Sequence, residues 1–164
     1  MRSMKYYRIP LLLLGMLGLL LTGCQTAPPL EESVAYSFQV EQTVIAVDAP
    51  AKAILDALGP WSNYAESPSC AFEGMDKVYT YAGFEIETYC LGGGDYIAAI
   101  HLLDDSVATQ KGIRIGSSAQ EVLNAYGTPT SQNDTSIVYS AKGMKLQFLL
   151  RGGAVTNIQY LKTT

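Results

Sequence analysis

One histidine, one tryptophan and three cysteines in 164 residues leave the chain short of the usual equipment for catalysis or metal binding. A serine nucleophile needs a base, yet His101 is the sole histidine and no Gly-x-Ser-x-Gly elbow occurs. A catalytic zinc takes three protein ligands, and His101 with its neighbours Asp104 and Asp105 is the one grouping that invites general-base or metal chemistry. Because His101 alternates with Ile100 and Leu102, it reads instead as a surface residue on a strand entering an acidic turn. Asp95, Asp104 and Asp105 lack EF-hand spacing, Cys70 and Cys90 are too far apart for C-x-x-C, and the glycines at 92 to 94 precede no Gly-Lys-Ser/Thr. No metal, cofactor or catalytic residue is therefore expected.

Low-complexity sequence is also absent, and 48% apolar with 16% charged residues is the composition of a folded chain. Bases are scarce in its first half. From Cys24 to Asp105 there are 2 basic and 13 acidic residues; from Ser106 onward there are 6 basic and 2 acidic. The halves thus carry −11 and +4, an asymmetry suited to orienting the molecule or steering a partner, and the net −7 argues against nucleic acid.

The first eight residues hold Arg2, Lys5 and Arg8 and no acid, and about thirteen mostly apolar residues follow. That run is shorter than the roughly 20 apolar residues that span a bilayer. It ends in Leu21-Thr22-Gly23-Cys24, which resembles the lipobox of bacterial lipoproteins. The resemblance implies cleavage before Cys24 and a diacylglyceryl group on its thiol; an ordinary cleaved signal or an uncleaved anchor would export the chain equally. The expected address is the extracytoplasmic side of the cell membrane, held by lipid, and Gln25 would let the protein reach an outer membrane if one exists.

With Cys24 lipidated, Cys70 and Cys90 remain as an even pair in an oxidising compartment. A disulfide between them closes a loop of about 20 residues and adds roughly 3 kcal/mol on the chain-entropy model. Two buried free thiols are the alternative.

"VIAVDAPAKAILDALG" (44–59) aligns without a gap on "GIRIGSSAQEVLNAYG" (112–127), offset by 68 residues. Each copy reads as a β-prone stretch, a capping residue (Asp48, or Ser117 or Ser118), a short amphipathic helix and a terminating glycine, Gly59 or Gly127. Ser118 and Glu121 match a capping box. Downstream, 78–103 parallels 137–161 at an offset near 58, with alternating apolar residues that predict about three antiparallel strands per unit. The ten extra residues of the first unit form a longer loop in "PWSNYAESPSCAFEGMDK". A strand around Val34, Tyr36, Phe38 and Val40 precedes it.

The expected fold is α+β: two tandem helix-plus-antiparallel-hairpin repeats forming one curved sheet, with helices packed on one face. Residues 1–23 are the lipoprotein signal peptide, 24–33 a tether, 34–105 the first repeat and 106–164 the second. This order resembles the β-lactamase inhibitor protein fold, and "IGSSAQEVLNAYGTP" with its strands resembles the small lipoprotein of the outer-membrane β-barrel assembly machine. "PSCAFEGMDKVYTYAGFEIETY" and "DDSVATQKGIRIGSS" resemble uncharacterised cell-surface lipoproteins of Firmicutes. The inhibitor resemblance carries over no contact residue, because the chain has no match to that fold's contact loops.

Trp61, Tyr64, Glu66 and Glu73 in the first unit's insertion are the candidate partner-binding residues, since aromatic side chains offer apolar area at interfaces. The expected function is a non-enzymatic, membrane-anchored binding module for a protein or envelope component. A cell-surface hydrolase or metal-dependent enzyme, and a structural accessory of an envelope complex, are the competing readings.

Overall fold

The computed structural model describes residues 36–70 and 74–163. The expected signal segment, Cys24, the tether and Glu73 lie outside the described residues. Among those described, no helix is long and apolar enough to cross a membrane.

Alternating apolar and polar residues build a mostly β protein. In chain order, a hairpin of β1 (Phe38–Val40) and β2 (Thr43–Ile45) leads into α1 (Ala51–Leu58), then β3 (Asn63–Pro68), β4 (Met75–Tyr81), β5 (Phe84–Leu91) and β6 (Gly94–Leu102). After α2 (Ala119–Tyr126) come β7 (Ser131–Asn133), β8 (Ser136–Ala141), β9 (Met144–Arg151) and β10 (Ala154–Lys162). The eight strands from β3 onward form one antiparallel sheet in the order β3-β4-β5-β6-β10-β9-β8-β7, while among the described residues β1 and β2 pair only with each other.

Cross-strand register puts the large apolar residues on one face. Tyr79 faces Ile86, Ile86 faces Ile100, Ile100 faces Tyr160, Tyr160 faces Leu146 and Leu146 faces Tyr139. Ala51, Ile54, Leu55 and Leu58 of α1 and Ala119, Val122, Leu123 and Tyr126 of α2 pack into the same apolar cluster, as do Phe38 and Ile45 of the hairpin. Fully burying one such Ile or Phe side chain is worth about 1.5–3 kcal/mol, so this layer is what holds the sheet and the helices together.

Both helices end as the glycines require. Gly59 and Gly127 adopt φ of 76° and 77° and donate their N–H to Leu55 and Leu123. Ser118 forms the expected capping box: its hydroxyl accepts from the Glu121 N–H, and the Glu121 carboxylate accepts from the Ser118 N–H at 2.7 Å. Asp48 does not cap α1. Pro50 occupies the N-cap position without a side-chain bond, and the Asp48 carboxylate is engaged elsewhere.

Each helix entrance is stitched to a strand of the sheet. Asp48 N–H donates to the Ile97 carbonyl and Ile97 N–H to the Ala49 carbonyl. Likewise Gly116 N–H donates to the Val155 carbonyl and Val155 N–H to the Ser117 carbonyl. The register shift between β5 and β6 leaves Ala98 unpaired, and that between β9 and β10 leaves Thr156 unpaired.

Three further expectations are corrected. Four strands, not three, follow each helix, because polar β3 and β7 add to the sheet ends. Part of the stretch expected as a loop is therefore strand, Asn63–Pro68. The stretch before α2 is not extended: Gly112 and Gly116 have φ of 81° and 93°, and Thr109 Oγ1 takes the Ile113 N–H in a local turn.

Candidate binding edge

Strand β3 carries Asn63, Tyr64, Ala65, Glu66, Ser67 and Pro68, all exposed, and pairs along its length with β4. Nothing apolar alternates in it. Its extension is imposed by the neighbour, with the Ser62 N–H and hydroxyl both donating to the Thr80 carbonyl at 2.8 and 2.9 Å and Pro68 closing the far end.

Period-two geometry sends Tyr64 and Glu66 to the same face, and register sets Tyr64 opposite Tyr79. Trp61, just before the strand, completes a three-ring cluster. Its centroid lies 5.1 Å from that of Tyr79 and 6.0 Å from that of Tyr64, and Tyr64 is 5.2 Å from Tyr79. Tyr79 is buried beneath, while Trp61 and Tyr64 stay 45% and 40% exposed, so two adjoining rings are open to solvent.

The Tyr64 hydroxyl donates to Glu66 Oε2 at 2.5 Å. That bond holds the phenol in its protonated form and pushes its pKa up to about 12. Glu66 stands opposite Lys77 in the ladder, yet the Lys77 ammonium is taken by Asp95 at 2.6 Å, and that hydrogen bond raises the lysine's pKa. Among the described residues no ion pair takes Glu66.

The loop beyond β3 closes with the Ser69 N–H on the Gly74 carbonyl at 3.0 Å. It carries Cys70, which is exposed, and Gly74 sits directly over Cys90 on β5: a Cβ on residue 74 would fall 2.9 Å from the Cys90 Cβ. Both thiols are free in this structure, so the expected bond is not formed, although the fold brings the Cys70 loop to the strand end that bears Cys90.

His101 does not meet Asp104 or Asp105. Its Nε2 lies 3.1 Å from Glu87 Oε1 on the helix-free face of the sheet, close enough for an ion pair when the ring is protonated but without hydrogen-bond alignment. The contact holds the Glu87 pKa below its ordinary value. Asp104 turns back to accept from the Ser106 N–H and hydroxyl, which lowers its pKa, and the Asp105 carbonyl accepts from Arg114. Among the described residues no three His, Cys, Asp or Glu side chains gather as a metal site would need. Two surface hollows, about 120 Å³ beside Tyr36 and Tyr126 and about 430 Å³ beside Gln132 and Gly153, contain neither His101 nor Trp61.

Trp61, Tyr64 and Glu66 are thus brought together; Glu73 lies outside the described residues. Sequence reasoning passed over Tyr79, the ring on which the other two rest, and Lys77, the base that Asp95 withholds from Glu66. The Tyr64-x-Glu66 spacing was the available signal, since alternate residues of a strand share a face. Comparison of the chain with family models, curated proteins and solved structures finds no match.

Proposed function

We propose that the protein is an extracytoplasmic lipoprotein, anchored through Cys24, whose sheet edge at β3 binds a protein or envelope component without catalysis. The observation that carries this reading is the exposed aromatic cluster of Trp61 and Tyr64 seated on Tyr79, with Glu66 in no ion pair among the described residues. Surfaces of this kind, a rigid apolar area with a polar tip, supply much of the binding energy in protein interfaces.

The scaffold reads as a tandem duplication, each unit one helix and four strands. Supporting this are the paired bonds at Asp48 and Gly116, the paired bonds at Ile97 and Val155, and bulge residues at Ala98 and Thr156. The helix entrances are 68 residues apart and the strand positions 58, the same two offsets found in the alignment. Among the described residues the sheet ends in β3 and β7, and of these two strands only β3 carries an aromatic residue. Oxidation of Cys70 and Cys90 to a disulfide would pin the loop that borders β3.

Fractionation of cells tests the anchor: Cys24→Ala should release the protein from membranes, and retention there would refute lipidation. Alkylation of the exported protein before reduction tests the bridge, which predicts no label on Cys70 or Cys90. The double variant Trp61→Ala/Tyr64→Ala should abolish site-specific crosslinking from β3 while leaving the membrane attachment intact; undiminished crosslinking would remove the aromatic edge as the binding surface.

A further inference from the structure

We propose that the edge of β3 receives an extended, cationic polypeptide strand of a partner protein, which joins the sheet as a ninth strand. This rests on the reading of the aromatic edge as the binding surface. Among the described residues β3 has a strand neighbour on one side only, so alternate main-chain N–H and C=O groups along its six residues point away from the sheet. Such groups bind another backbone by hydrogen bonding, and the side chains of the edge then select which sequence is accepted.

Selection here is for positive charge. Glu66 is opposite Lys77, but Lys77 is spent on Asp95, and the next cross-strand pair toward Pro68, with its side chains on the other face, is Ser67 with Asp76, another acid. An arginine on an added strand would lie within cross-strand distance of Glu66 and beside the Tyr64 and Trp61 rings, where a guanidinium pairs with the carboxylate and stacks on an aromatic face. Tyr64 already orients the Glu66 carboxylate through its hydroxyl.

The same features weigh against other occupants. A second copy pairing β3 with β3 antiparallel would bring two Glu66 carboxylates into one short ladder with no base to separate them. A sugar ring stacks best on a flat platform, whereas the three rings meet at interplanar angles of 69°, 49° and 39°. The opposite sheet end, β7, offers three residues and no aromatic side chain.

Trp61 is the chain's single tryptophan, so its fluorescence reports on this edge alone. The experiment titrates the full-length lipoprotein, in detergent micelles, with a capped heptapeptide of alternating arginine and threonine. Saturable change in Trp61 emission is expected, with affinity weakened about tenfold, equivalent to 1.4 kcal/mol, when alternate peptide amides are N-methylated and the charge is kept. Glu66→Gln should weaken binding by a similar factor, and exchange of the β3 amides should slow in the complex. Equal binding of the N-methylated peptide, equal binding of an alternating glutamate and threonine peptide, or no saturable change would overturn the strand-addition proposal. So would self-association that quenches Trp61 in the absence of peptide. A chito-oligosaccharide that moves Trp61 emission where the peptide does not would also overturn it, yet leave the aromatic edge as the binding surface; silence toward both ligands, with no β3-specific crosslink on cells, would remove that surface as well.

Discussion

Replacing Asp48 with glycine would test how the first helix entrance is held to the end of the chain. Asp48 Oδ1 accepts from the Tyr89 hydroxyl at 2.8 Å and from Lys162 Nζ at 2.6 Å, and Lys162 also lies 5.1 Å from the Tyr89 ring centroid. To make these bonds Asp48 adopts φ of 64°, a left-handed conformation, where Gly116, which donates the analogous N–H at the entrance of α2, adopts 93°. Glycine at 48 would relieve backbone strain of roughly 1 kcal/mol, since aspartate tolerates that region better than most residues. It would also widen the unfolded ensemble at a cost of roughly 0.5–1 kcal/mol, so the two backbone effects nearly cancel. What remains is the loss of the side-chain bonds. A hydrogen bond to a charged group contributes about 1.5–3 kcal/mol. The Lys162 pair adds less, about 0.2–1 kcal/mol, because Asp48 and Lys162 are 46% and 29% exposed and solvent screens them. Asp48→Gly should therefore destabilise the protein by about 2 kcal/mol, and Asp48→Asn, which keeps an acceptor, by about half as much. Urea denaturation at neutral pH with an unchanged slope measures this directly. A glycine variant as stable as the parent, or more so, would show that backbone relief outweighs the bonds and refute the reasoning.

Glu87 is held below its ordinary value of 4.5 by its close contact with the His101 imidazole, 3.1 Å away. Its contribution is fully present above that unfolded value and is lost as pH falls through the lower folded value. Glu87→Gln should accordingly flatten the acid limb of stability against pH, and an unaltered urea midpoint profile would contradict the contact. Ile158 is fully buried and faces Leu102 of β6 and Phe148 of β9, at the seam between the two halves of the sheet. Ile158→Ala should cost about 2–5 kcal/mol and lower one cooperative transition, whereas two separated transitions by fluorescence and circular dichroism would show that the halves fold independently.

Much of this architecture was legible where local chemistry and periodicity agree. Gly59 and Gly127 end the helices because each follows an amphipathic turn and can adopt positive φ, and Ser118 with Glu121 caps the second helix because both partners lie within one turn. The polar edge strands were not legible. Asn63–Pro68 and Ser131–Asn133 have no buried face to impose alternation, so they are strands only because β4 and β8 offer partners. Asp48 misled for a related reason: in sequence it looks like a helix cap, but its best hydrogen-bond partners, Tyr89 and Lys162, are 41 and 114 residues away. At the candidate site, Trp61, Tyr64 and Glu66 were visible as residue types, while their grouping depended on the Tyr79 pairing that only the register supplies.

The proposed function requires that the β3 edge, and not the other end of the sheet, meet the partner. A photoreactive amino acid placed at Tyr64 or at Gln132 on β7, in otherwise identical full-length protein on intact cells, tests it most directly. A discrete adduct from position 64 that is absent from position 132, and that disappears in the Trp61→Ala background, is the predicted result. Adducts of equal yield from both ends, or from position 132 alone, would contradict it.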